Sequence, residues 1–169
     1  MPGMLGPART NEGQRPAKGE PVTASSWHIV LGELDEKMGV VVLEQSPERV
    51  VATMPVAGNR QSFGLLHGGA SVAFAEALGS WAAVLHAGPG RTAVGVDINA
   101  THHRGTREGL VTGIATALHL GNTVTTHEVV LTNERGERLC TARITNLLRD
   151  LPKNFEAHRN VHPESSDQS

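Results

Sequence analysis

The sequence predicts an α+β domain: a curved antiparallel sheet wrapped around one long central helix. Three observations predict it. A segment of about 17 residues, Ala70 to His86, is rich in Ala and Leu and too long for an ordinary strand. Short β-branched segments lie on both sides of it. Those segments cluster before and after the helix, joined mostly by short turns, instead of alternating with further helices, which favours an antiparallel over a parallel sheet.

The chain has 169 residues and a net charge of −2. That length suits one domain with a real core. Residues 1–24 are Gly, Pro and charge with little to bury, and read as a disordered extension; residues 150–169 read as a flexible tail, leaving a body over 25–149. His158 and His162 in that tail are incidental histidines of a polar segment. Basic residues are scattered, which gives no support for nucleic acid as a partner. The N-terminus lacks a basic region followed by an apolar run, so no signal peptide is expected, and no uninterrupted apolar run is long enough to predict a membrane span. The single cysteine, Cys140, excludes an intramolecular disulfide and makes the cytoplasm the default compartment.

Trp27 to Leu34 reads as a short helix or turn. Gly39–Glu44 and Arg49–Val56 read as a hairpin, because Ser46-Pro47-Glu48 between them is turn chemistry. After the helix, Ala93–His103, Gly109–His119, Val124–Leu131 and Leu139–Leu147 supply three or four strands. Gly121-Asn122 and Asn133-Glu134-Arg135-Gly136 separate the later ones as hairpin connections. Alternation places Val94, Val96, Ile98 and Ala100 on one face, continued by His102, while His103 points the other way.

The helix is apolar nearly all round, which predicts burial on most sides. Glu76 is the only formally charged residue between Arg60 and Arg91, histidines being counted neutral. A carboxylate there must be paired, neutralised or used, since an isolated buried charge is costly. Ser80 lies at i+4 on the same face. Burial raises a carboxyl pKa, which suits a general base, and the hydroxyl would orient an attacking water. The alternative is a structural glutamate bonded to backbone or to a neighbouring subunit.

The Gly68-Gly69 turn is the second component. Glycines allow close backbone approach, and the first N–H groups of a helix can stabilise a developing oxyanion. Tight packing of the helix start is the competing explanation. Glu76 lies roughly 10 Å along the axis from Gly69, so one helix cannot present both to one carbonyl. A two-fold dimer removes the difficulty.

His67, His102, His103, His119 and His127 show no metal-ligand spacing on one element, and no metal is expected. No serine-hydrolase elbow, Walker loop or dinucleotide fingerprint is present. Cys140 reads as a packing residue.

Gln61 to Ser71, Ala75 to Ser80, Val94 to Arg104 and Leu118 to Gly121 resemble the hotdog-fold acyl-CoA thioesterases. The resemblance spans roughly residues 27 to 148 and is dense from 61 to 121. It is strongest to the branch holding 1,4-dihydroxy-2-naphthoyl-CoA hydrolases and the enterobactin-synthesis proofreading thioesterases, and extends to the glutamate-dependent 4-hydroxybenzoyl-CoA thioesterases. It implies hydrolysis of an acyl-CoA, with an aroyl group expected, and CoA entering only as part of the substrate, so that no cofactor is needed. It also implies dimers, often paired again into homotetramers, with active sites between subunits.

By the same resemblance Glu76 matches the catalytic carboxylate, as nucleophile or as base for water, and Ser80 the hydroxyl that positions the water. Gln61 and the Gly68 N–H match the groups that polarise the thioester carbonyl from the partner subunit, with His67 in support. His102 matches a substrate-side histidine. Gly69, Arg104, His119 and Gly121 are further substrate-binding candidates, with Arg107 beside them, since guanidinium forks suit the phosphates of CoA. Three rival readings are a non-catalytic acyl-CoA or aromatic-ligand binding protein, a thioesterase for carrier-protein thioesters, and a hydratase or dehydratase, for which no acid-base set is present.

Overall fold

The computed structural model describes residues 29–152. Trp27, the N-terminal extension and nearly all of the C-terminal tail, His158 and His162 included, lie outside the described residues.

Glycine brackets the first element. Gly32 donates its N–H to the Asp35 carboxylate at 2.9 Å, and Gly39 closes the helix in the left-handed region at φ 72°, so α1 runs Glu33–Met38. The short helix therefore begins where the sequence-based segment was expected to end. Gly39 was the available signal, since glycine just past the last helical residue is the common helix stop.

The strands that follow are β1 (Val41–Gln45) and β2 (Arg49–Pro55). Their turn is held by Ser46, whose backbone N–H donates to the Arg49 carbonyl and whose hydroxyl accepts the Arg49 N–H. The long helix α2 spans Gly68–Ala87, and β3 (Arg91–His102), β4 (Leu110–Leu120), β5 (Val124–Thr132) and β6 (Arg138–Asp150) complete the order. All pairings are antiparallel, in the spatial order β1-β2-β4-β5-β6-β3. Because β2 and β3 lie far apart in that order, α2 must cross the sheet between them. It packs against β2, β3, β4, β5 and β6 on the way.

The core forms between α2 and the facing side of the sheet. Phe74, Ala75, Leu78 and Ala82 meet Val50, Ala52, Met54, Val111, Ala115, Val129, Leu131, Ala142 and Ile144. The buried positions of α2 are Ser71, Phe74, Ala75, Leu78, Gly79, Ala82 and Ala83, the i, i+3, i+4 pattern of a single stripe. Burial on most sides, as its composition suggested, is thus not what one chain provides. The sheet covers one face only, and the flank carrying Glu76 lies open. By length and composition α2 could cross a membrane, although no uninterrupted run had suggested a span. Its packing against five strands makes it the core helix instead.

One register expectation fails for a local reason. In β3, Gly95 pairs with Asn146 and Asp97 with Thr145, leaving Val96 as a bulge. An extra residue shifts the alternation by one. Ile98, Ala100 and His102 do face the helix, opposite buried Ile144, Ala142 and Cys140, but before the bulge that face is carried by Ala93 and Gly95. Val94 turns outward. β3 is an edge strand, and both Val94 and Val96 are exposed on it.

Candidate functional site

The loop before α2 is tied down by polar contacts. Asn59 donates its amide N–H groups to the Met38 and Pro55 carbonyls, each at 2.8 Å, and its own carbonyl accepts the His67 N–H. Arg107 donates to the Phe63 carbonyl at 3.0 Å, and Arg60 to the Arg107 carbonyl at 2.8 Å. Arg107 therefore braces the loop that carries Gln61.

Within that loop the Phe63 N–H donates to Gln61 Oε1. The contact turns the amide so that its NH2 side is left to donate to a ligand. His67 is the N-cap of α2, and its Nδ1 accepts the Gly69 N–H at 2.8 Å. A neutral ring in that arrangement carries its proton on Nε2. The Gly69 N–H is consequently spent on the cap, while the Gly68 N–H, at the first helical position, has no partner within the helix.

His102 leans over this turn. A Cβ built on Gly68 would stand 3.1 Å from His102 Nε2, so only glycine fits there without displacing the ring. Gln61, Gly68, Ser71, His102 and Arg104 share one cleft of about 310 Å³, with apolar walls from Leu65, Leu66 and Leu139. Arg104 also pairs with Glu137 at 3.4 Å. That pairing and a hydrogen bond from Asn133, the larger influence, hold the Glu137 carboxyl below its ordinary range.

Glu76 lies elsewhere. It is exposed in the single chain and lines a separate cleft of about 210 Å³ with Gly95, Val96, Asp97, Ile98 and Ile144. The expected burial is absent because Glu76 stands over the edge strand, beyond which the sheet does not continue. Gly68 and Glu76 are about 12 Å apart along α2. Ser80, one turn on, donates its hydroxyl to Asn146 Oδ1 at 3.3 Å.

His119 and Gly121 sit at the opposite end of α2 from the first cleft. A Cβ on Gly121 would fall 2.6 Å from His119 Nε2, and His86, in the last turn of α2, donates to the Gly121 carbonyl at 3.0 Å. Since α2 is about 30 Å long, one chain does not bring these two residues to Gln61, His102 or Arg104. His103 contacts Thr141, and His127 is fully buried. Among the described residues, no three His, Cys, Asp or Glu side chains converge as a metal site.

Two residues beside Glu76 and Ser80 escaped the sequence reading. Asn146 is fully buried and faces the helix; Gly95 is its partner across β3. The signal for Asn146 was present, because Cys140, Ala142, Ile144, Asn146 and Leu148 alternate on one face and only Asn146 carries a full polar head. A glycine inside a strand likewise marks a close approach.

Three comparisons bear on what such a chain is. Residues 63–140 match the family model described as "Thioesterase superfamily". A proofreading thioesterase EntH from Cronobacter sakazakii is 42% identical over 119 residues, covering 70% of this chain and 87% of the relative. Among solved structures, thioesterase HI1161 from Haemophilus influenzae superposes with a TM-score of 0.68 at 36% identity, covering 73% of this chain and 87% of that one. A mutant of thioesterase PA1618 from Pseudomonas aeruginosa gives 0.67 at 39% identity, covering 70% and 86%. With its antiparallel sheet crossed by one core helix, the chain belongs to the thioesterase superfamily, as a hotdog-fold thioester hydrolase.

Proposed function

We propose that the protein hydrolyses an aroyl-CoA, of the 1,4-dihydroxy-2-naphthoyl or hydroxybenzoyl type, to the free acid and CoA, with Glu76 driving the attack. The carrying observation is the placement of Glu76 over the open edge strand, one turn from Ser80 and in a different cleft from Gln61 and Gly68. A two-fold axis beside β3 would pair its free backbone edge with a second copy, cover exposed Val94 and Val96, and set the Gln61 cleft of one chain against Glu76 of the other. Such dimers would pair again into a homotetramer.

In that arrangement the Gln61 NH2 and the Gly68 N–H donate to the thioester oxygen as negative charge develops on it. His67 holds the helix start in place by its cap, and the leucine walls with His102 receive the acyl group. Arg104 of one copy, with His119 and Gly121 of the other, serves the CoA moiety. The reaction needs no cofactor, since the base is Glu76 and the second reactant is water. A free, buried Cys140 suits the cytoplasm, where a naphthoyl substrate would place the enzyme in menaquinone synthesis.

The test is thiol release from a panel of aryl- and fatty-acyl-CoA thioesters and from carrier-protein aryl thioesters, with mass measured in solution. Aroyl-CoA should be turned over fastest. Glu76→Gln should lower kcat by about 100- to 10,000-fold, the usual contribution of a general base, with the oligomer intact. Near-wild-type thiol release by that variant would sink the mechanism, and a preference for carrier-protein thioesters would replace the substrate.

A further inference from the structure

Asn146 is an expensive residue to bury where it lies. It is 0 % exposed, faces the helix, and its Nδ2 finds no partner among the described residues. Directly across the sheet stand Gly95 on β3 and Thr125 on β5, whose buried hydroxyl is also unpartnered. An apolar side chain of the same volume would cost the core less. What the amide does make is one contact, accepting the Ser80 hydroxyl at 3.3 Å.

The second observation is the missing side chain opposite. A Cβ built on Gly95 would stand 3.5 Å from Glu76 Oε1 and 3.7 Å from Asn146 Oδ1, with no other atom closer. Gly95 thus leaves a methyl-sized slot beside a carboxylate oxygen and the amide that holds Ser80. The bulge at Val96 directly follows it.

We propose that Asn146 is a positioning residue for the hydrolytic water: by accepting the Ser80 proton it leaves the Ser80 oxygen as an acceptor toward a water held between Ser80 and Glu76, at the mouth of the Gly95 slot. A water about to attack needs a free lone pair and acceptors for its protons. If Ser80 were to donate to the water, that lone pair would be occupied. With Asn146 as the acceptor, Ser80 Oγ and Glu76 Oε1 take the two protons, and the lone pair faces the thioester carbonyl carbon. As the C–O bond forms, the carbonyl π pair moves onto oxygen and one water proton passes to Glu76. The oxyanion pair then re-forms the carbonyl as the C–S bond breaks, and sulfur leaves with the bonding pair and takes the proton from Glu76, giving acid and thiol.

This inference rests on the Glu76 reaction proposed above, with Glu76 as base, and its test separates the two. Thiol release by the full-length protein is measured for Gly95→Ala, Asn146→Leu, Ser80→Ala and the Asn146→Leu/Ser80→Ala double variant, with Glu76→Gln as reference and melting temperature as a fold control. Gly95→Ala meets both neighbours at ordinary van der Waals distance, so it should fold. It should lose kcat by about 10- to 100-fold with KM within about twofold, as expected when a reactant is displaced by an ångström. Asn146→Leu should lose kcat similarly, and the double variant should be no slower than Ser80→Ala alone, because the amide acts through the hydroxyl. Wild-type kcat in Gly95→Ala, or losses that multiply in the double variant, overturn the inference while an inactive Glu76→Gln leaves the reaction standing. An active Glu76→Gln overturns both. Should Asn146→Leu fail to fold, Asn146→Val, which also lacks an acceptor, replaces it in the same cycle with the same criterion.

Discussion

Gly79→Ala sets two physical effects against each other. Alanine is favoured over glycine inside a helix by about 1 kcal/mol, so local propensity alone predicts a more stable protein. The structure predicts the reverse. A Cβ on Gly79 would stand 2.1 Å from Ile144 Cγ2, with Ile144 Cβ at 3.5 Å and His127 Cβ at 3.7 Å. Carbon pairs rest at about 3.5–4.0 Å, so α2 and β6 must part by about 1.5 Å or Ile144 must leave its rotamer. Ile144 is 1% exposed, and the cleft it borders is the one that holds Glu76, so swinging into it would also disturb that cleft. Overpacking of this kind costs about 1–3 kcal/mol, and this overlap belongs at the upper end, giving a net loss of about 2 kcal/mol. Ser80 follows Gly79 in the chain, and Glu76 lies one turn before Ser80. A shift of the helix therefore carries both away from Asn146, and misplacement by about 1 Å costs about 100-fold in rate. Urea unfolding followed by fluorescence, with thiol release on the same samples, reads both effects. Ile144→Ala in the Gly79→Ala background should recover more than about 1 kcal/mol relative to additivity. A variant as stable and as active as the wild type would refute the close contact and the dependence of the site on it.

Three further outcomes follow from the geometry. Gln61→Ala removes the amide proposed to donate to the thioester oxygen and should lower kcat by ~100- to 1000-fold, with melting unchanged. Val96→Lys places a charge on the open edge of β3, where Val96 is exposed; sedimentation should show monomers that keep their circular dichroism and lose turnover. His127 is buried, and desolvation holds its pKa below the ordinary imidazole value, with the Pro47 carbonyl opposing and His86 adding to the effect. The unfolded chain then takes up a proton that the native one refuses, so stability should fall as pH drops below about 6.5. His127→Gln should flatten that slope in unfolding curves collected from pH 7 to pH 5.

The sequence by itself determined the fold class, the central helix, the hairpins and the family, because these follow from local signals. Ala70–His86 is long, apolar and rich in Ala and Leu, turn residues punctuate the strands, and the motif around His67-Gly68-Gly69 is contiguous. It also marked Glu76 and Ser80 through their i, i+4 spacing, and the axial rise predicted the separation of Gly68 and Glu76, which line different clefts of one chain.

Tertiary structure decided the rest. Whether Glu76 is covered depends on where the sheet stops, and the strand order puts β3 at the edge beside it. Val94 faces outward because one extra residue in β3 shifts the pleat, a feature of pairing with β6 that period-two reading of one strand does not contain. His119 and Gly121 part from Gln61 because a helix of about 30 Å separates them. The link from Ser80 to Asn146 spans 66 residues of chain, and the Gly95 slot exists only once three elements have packed. A side chain's type is written in the sequence, but its neighbours and its access to water are set by elements distant in the chain, which come together only on folding.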